Sequence, residues 1–169
     1  MSRGRLIHWT GSSRALRQIG PAAVPAMIAA LGIREFRREA AKAVGQIGSP
    51  AVPALINAFG AADPEVRQGV VEALSQIGQA EQIGQAESGS AVEPILTRPA
   101  LGDANPEVRK TAAVALGQIK SPTARAMSSL IATLGDAEPE VRRGAGEALG
   151  QIGPAAVPAL IAVLSDPNP

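Results

Sequence analysis

The sequence predicts an all-α fold, an α-solenoid of stacked antiparallel helix pairs with about four full repeats and incomplete ends. Three observations predict it. The phrase Gln-Ile-Gly recurs at Gln18, Gln46, Gln76 and Gln151, and Gln118-Ile119 carries Lys120 where the glycine stands elsewhere. The steps between these glutamines are 28, 30, 42 and 33 residues, and a period near thirty marks units that bury their apolar faces only against their neighbours. Aromatic residues make up 2% of the chain, too few for a wide core but suited to thin helix layers of Ala, Val, Leu and Ile. The 18 glycines and 14 prolines fall at fixed places in each unit, as helix punctuation does.

Each unit reads as two helices. The longer, helix B, carries apolar residues four, four and three apart: Phe36, Ala40, Val44 and Ile47; Val66, Val70, Leu74 and Ile77; Val108, Ala112, Leu116 and Ile119; Val141, Ala145, Leu149 and Ile152. Its expected core comprises Phe36, Val44, Ile47, Val66, Leu74, Ile77, Val108, Leu116, Ile119, Val141, Leu149 and Ile152. Pro64, Pro106 and Pro139 stand at its start, where proline costs no hydrogen bond, and Asp63 and Asn105 are positioned as N-caps. Gly20, Gly48, Gly78 and Gly153 are positioned to end it. Helix A is shorter, over residues 24–31, 52–59, 92–101, 126–134 and 157–164. Pro25, Pro53 and Pro158 fall in its first turn. A small residue precedes each terminal glutamine of helix B (Gly45, Ser75, Gly117 and Gly150), which predicts a close helix crossing, since interior glycine otherwise weakens a helix by about 1 kcal/mol.

One domain is expected over residues 1–169, with three irregular places. Residues 1–20 form a degenerate N-terminal half-repeat, in which His8 and Ser12 replace Phe36 and Ala40 of the next copy. Residues 76–81 and 82–87 are identical, Gln-Ile-Gly-Gln-Ala-Glu, which accounts for six residues of the long step and predicts an insertion loop or a frayed helix extension over 79–90. Pro99 is expected to kink or end its helix A. Residues 154–169 supply an unpaired C-terminal helix whose Val157, Leu160, Ile161 and Leu164 predict self-association as a homodimer.

The phrases Asp136-Ala137-Glu138-Pro139-Glu140-Val141-Arg142-Arg143, Ala148-Leu149-Gly150-Gln151-Ile152-Gly153 and Val157-Pro158-Ala159-Leu160-Ile161 resemble the HEAT-like repeats named after phycobilisome lyases. The resemblance covers about residues 12–169. It implies B helices on an inner, concave face and A helices outside. It also implies that the Arg37, Arg67, Arg109 and Arg142 column and Asp63, Asp103 and Asp136 bond between neighbouring repeats, with the ladder broken at Asp63, which is offset by two residues. An anion site is the other reading of that column. Members include adaptor modules, chromophore-lyase subunits and, more distantly, DNA glycosylases.

Chemistry-bearing residues are sparse. There is no cysteine, so disulfides and thiolate metal sites are excluded. His8, beside Trp9, is the one histidine, and it reads as part of an end cap or as a ligand contact. Nucleophile–base pairs and calcium-loop carboxylates are missing, so no enzyme activity, cofactor or metal is expected. The net charge of +1 argues against nucleic acid or an anionic membrane as partner. Without an apolar leader or spanning segment, a cytoplasmic location is expected. The glutamine column is read as bonding loose carbonyls or the adjacent unit, or as a polar stripe for a ligand. Recognition is assigned to the variable columns of helix B: Arg38, Gln68, Lys110 and Arg143, and Lys42, Glu72, Val114 and Glu147. The first is mildly basic and suits an acidic segment. The expected function is a non-enzymatic protein-interaction scaffold. The alternative is a lyase-like subunit handling a bilin or other cofactor.

Overall fold

A computed structural model describes residues 20–61, 63–81, 92–119 and 122–164. The degenerate N-terminal copy, with His8 and Trp9, lies outside the described residues, as does the second copy of the hexapeptide. All regular structure among the described residues is helical. The chain divides into two compact units, Met1–Ile83 and Gly84–Pro169, and the division falls inside the second copy of the hexapeptide.

In the first unit, a 3-10 turn at Gly20–Ala23 leads into α1 (Val24–Leu31), followed by α2 (Arg37–Ile47). A second 3-10 turn at Ser49–Ala51 leads into α3 (Val52–Ala61), followed by α4 (Pro64–Glu81). α1 and α3 are A helices, and α2 and α4 are B helices. The two B helices pack along each other, and the A helices lie against them. In the second unit, α5 (Glu93–Ile95) continues as a π-helical turn, Leu96–Ala100. Then come α6 (Pro106–Gly117), α7 (Ala124–Thr133), α8 (Pro139–Ile152), a 3-10 turn at Gly153–Ala156 and α9 (Val157–Leu164). Here the B helices α6 and α8 pack most extensively, with α7 against α8 and α9 against α7.

The punctuation works largely as the sequence predicts. Three B helices start on Pro64, Pro106 and Pro139. Asp63 caps α4 by accepting from Val66 N at 2.9 Å, and Asn105 caps α6 by accepting from Glu107 N at 2.9 Å. Gly48 and Gly153 end α2 and α8 at φ 76° and 68°, a region that disfavours any side chain. Gly78 does not end its helix. α4 runs on to Glu81, through the first copy of the duplicated hexapeptide, as the helix-extension reading of residues 79–90 expects, and residues 82–90 lie outside the described residues. Pro99 neither ends nor sharply breaks its helix. The chain opens into a π turn, in which Leu101 N donates to Leu96 O at 3.3 Å, and this widening accommodates a residue that has no N–H to give.

The core is narrower on the B helices than the sequence predicts. Val44, Leu74, Ile77, Val108, Leu116, Ile119, Val141 and Leu149 are buried, whereas Phe36, Ile47, Val66 and Ile152 are only half-buried. Phe36 is the residue before α2 rather than a residue of its apolar stripe. The A helices supply the balance through Met27, Leu31, Leu55, Leu96 and Leu130, all fully buried. The B helices come close enough that small residues are required between them. A Cβ on Gly45 would stand 2.5 Å from Gln76 Cβ, and one on Gly117 would stand 2.5 Å from Ala148 Cα.

Candidate functional site

Two of the first arginines of the B helices, Arg37 and Arg109, are held between repeats. Arg37 is buried. Its Nε donates to Leu31 O at 3.0 Å, its Nη1 donates to Gln68 Oε1 at 2.9 Å, and its Nη2 meets the Glu65 carboxylate. Arg109 grips Asp136 with Nε and Nη2, both at 2.8 Å, and gives Nη1 to Asp103 O at 2.8 Å and Ala104 O at 3.2 Å. Arg142 repeats the loop contacts, with Nη1 to Asp136 O at 2.7 Å and Ala137 O at 2.9 Å. The ladder is therefore not broken at Asp63. Asp63 serves as the N-cap, and Glu65, two residues on and one methylene longer, takes its place opposite Arg37. Arg37 and Arg109 are committed to holding repeats together, whereas Arg142 holds only its own loop.

The Arg109–Asp136 fork sets an acid dependence. Hydrogen bonds from Arg109 hold the Asp136 carboxyl below its ordinary value against the opposing effect of burial, and the Glu138 N–H adds to this. A carboxyl whose folded pKa is depressed favours the folded state above its unfolded value, and that stability is lost as pH falls through the folded value. Asp136→Asn is expected to cost about 1–3 kcal/mol at neutral pH. It should also flatten the fall of melting temperature on acidification below about pH 4. Thermal melts of both proteins across that range check it. An equally steep fall in the variant would assign the acid dependence to other groups.

The predicted recognition columns fall on paired B helices, α2 with α4 and α6 with α8. In the first unit Arg38 and Lys42 are exposed on α2, and Gln68 and Glu72 are half-buried on α4. Gln68 is already engaged by Arg37. Burial pushes the Glu72 carboxyl above its ordinary value, opposed by the nearby charges of Arg37 and Arg38. In the second unit Lys110 and Val114 are half-buried on α6, and Arg143 and Glu147 are exposed on α8. Lys110 lies 3.5 Å from Glu140 and 3.8 Å from Glu107, and Arg143 lies 2.6 Å from Glu140 and 3.7 Å from Glu147. The basic residues of this second group are thus met by the chain's own carboxylates, which removes the ground for expecting an acidic partner there. Of the self-association residues, Val157 is 47% and Ile161 57% exposed, and Leu160 is half-buried. The side chain of Leu164 lies outside the described residues. In the glutamine column Gln46, Gln118 and Gln151 are exposed, and Gln76 packs its Cβ toward Gly45.

One buried polar contact was not read from the sequence. Glu93, at the start of α5, is buried, and its carboxylate accepts from Thr123 N at 3.2 Å and from the Thr123 hydroxyl. Thr123 in turn caps α7 by accepting from Ala126 N at 3.3 Å. The signal was a charged residue in the first turn of a helix A, where three of the sibling helices read Val-Pro-Ala. Among the described residues no group of His, Cys, Asp and Glu is placed to hold a metal ion. No described helix is long and apolar enough to cross a membrane.

The stacked helix pairs agree with a comparison against family models. The model described as HEAT repeats matches residues 24–88 and 127–169. The chain belongs to the HEAT-repeat family. Among solved structures, this HEAT-repeat protein is similar to a chain of the complex of CpcE and CpcF of phycocyanin lyase from Nostoc sp. PCC7120. The TM-score is 0.63 at 23% identity, over 88% of this chain and 92% of that one. No curated protein matches.

That likeness corrects the expectation that the chain is no enzyme. The structure it resembles belongs to a lyase, so the same repeat architecture serves in an enzyme. A search for a nucleophile beside a base finds self-contained sites. It is blind to an enzyme in which a bound cofactor carries the reactivity and the protein binds and orients it.

Proposed function

We propose that this HEAT-repeat chain is a lyase-type subunit that handles a bilin or another cofactor on the concave face formed by its B helices, together with a protein partner, in the cytoplasm. The observation that carries this reading is the likeness of fold, TM-score 0.63 over nearly the whole of both chains, to a subunit of a phycocyanin lyase complex. The residues of the first unit fit it chemically. Arg38 and Lys42 are exposed cations suited to the propionate carboxylates of a linear tetrapyrrole. Glu72, half-buried beside them, is suited to accept from pyrrole N–H groups. In the second unit, Lys110, Val114, Arg143 and Glu147 alternate charge with an apolar residue, which suits a mixed polar protein surface. Val157, Leu160, Ile161 and Leu164 are proposed as a contact with a second copy of the chain.

Expression beside a bilin supply tests the cofactor assignment. The purified chain is expected to carry visible absorbance that an Arg38→Glu, Lys42→Glu double variant loses. Colourless wild-type protein from cells that accumulate bilin would overturn the reading.

A further inference from the structure

One glutamate position sets the two units apart. Glu65 on α4 and Glu140 on α8 each follow the proline that starts their helix. In the second unit Asp136 takes the ladder arginine, Arg109, and Glu140 is left to meet Lys110 at 3.5 Å and Arg143 at 2.6 Å. In the first unit Asp63 serves as an N-cap, and Glu65 is drawn to Arg37, with Arg34 at 3.6 Å. Arg38, the counterpart of Lys110, is thereby left without a carboxylate. Among the described residues neither Arg38 nor Lys42 forms an ion pair, and both are exposed. A shift of one carboxylate in the ladder thus opens two cations on the face of the first unit.

Gln68 adds a third donor. Its Oε1 accepts from Arg37 Nη1 at 2.9 Å. A guanidinium only donates, so the amide must turn its oxygen to Arg37 and its NH2 away. No described group accepts from that Nε2. Arg37 is itself fixed, since it is buried with Nε on Leu31 O and Nη2 on Glu65. The core therefore sets which end of the Gln68 amide is offered. Glu72, one turn further along α4, feels the charges of Arg37 and Arg38, which places Arg38 beside the same stretch of helix. Resting on the proposed cofactor role, we infer that Gln68 is a specificity-determining residue: its NH2, aimed by Arg37, joins Arg38 and Lys42 in holding a carboxylate of the ligand, which in a linear tetrapyrrole is a propionate. Three donors with no ion-paired acid select an acceptor-only anion. The second unit lacks this arrangement, because Arg143, at the position of Gln68, is met by Glu140 and Glu147.

Visible titration of the full chain with biliverdin and with its dimethyl ester tests this, with circular dichroism confirming that each variant folds. Gln68→Glu keeps an acceptor for Arg37, so the repeats should hold as before, but it replaces the offered NH2 with a carboxylate oxygen. It is expected to weaken biliverdin by about tenfold or more and to leave the ester within about threefold of wild type. Gln68→Met removes the donor without adding charge and should weaken biliverdin more than the ester, which guards against one variant failing to fold. Unchanged affinity of both variants for biliverdin overturns the inference and leaves the cofactor reading standing. Equal losses for acid and ester also overturn it, since Gln68 would then not be reading the carboxylates. No spectral change with the wild-type chain overturns the cofactor reading and this inference with it.

Discussion

Leu116→Ala is expected to destabilise the protein by about 2–5 kcal/mol. Leu116 is fully buried on α6, in a layer only two helices thick, where Val108, Leu130 and Val141 are also fully buried. The lost side chain removes apolar contacts and leaves a cavity, and the inter-repeat forks limit how far the helices can close over it. Chemical denaturation should show a lower midpoint with an unchanged slope. A loss below about 0.5 kcal/mol would mean that the stripe has been assigned to the wrong face of the helix.

Gly117→Ala should be the most damaging small-to-larger change available in the described residues of the second unit. The added Cβ would lie 2.5 Å from Ala148 Cα, 2.7 Å from Ala148 Cβ and 3.1 Å from Ala148 O. These atoms belong to a helix backbone and its first side-chain carbon, so no rotamer change relieves the overlap. The two helices must separate, at a cost of about 1–3 kcal/mol or more. Gly150→Ala makes the contrast, because the same change at the equivalent position meets no atom within 4 Å. In dilute solution it should be neutral, or stabilising by up to about 1 kcal/mol through helix propensity. Thermal melts of the two variants side by side check the pair. Equal effects would show that the crossing is not set by the small-residue column.

The repeats were legible because each helix end carries its own chemistry. Proline at the start of α4, α6 and α8, Asp63 and Asn105 as caps, and the positive-φ Gly48 and Gly153 are local signals whose meaning does not depend on tertiary context. The close approach at Gly45 and Gly117 was also legible, since a recurrent glycine inside a helix needs a reason. Other features depend on reach across space, which spacing does not reveal. The ladder looked broken at Asp63, but a glutamate two residues away has the length to span the offset. Gly78 carries the same local signal as Gly48, yet α4 continues past it through the first copy of the duplicated segment. The Glu93–Thr123 contact joins residues thirty apart and leaves almost no local trace. The pairing of charges within the proposed recognition columns was not visible in one sequence. The charges of Lys110 and Arg143 looked unopposed until Glu107, Glu140 and Glu147 were found beside them. The expectation of no enzyme rested on an absent catalytic dyad, which says nothing about what a repeat scaffold binds.

The central claim is that the B-helix face of this chain receives a bilin-type cofactor. Titration of a bilin with the purified full chain, followed by visible difference absorbance, tests it most directly. A saturable spectral shift is expected, weakened at least about tenfold by Arg38→Glu with Glu72→Gln. A bilin spectrum that stays that of the free pigment at every protein concentration would contradict the claim.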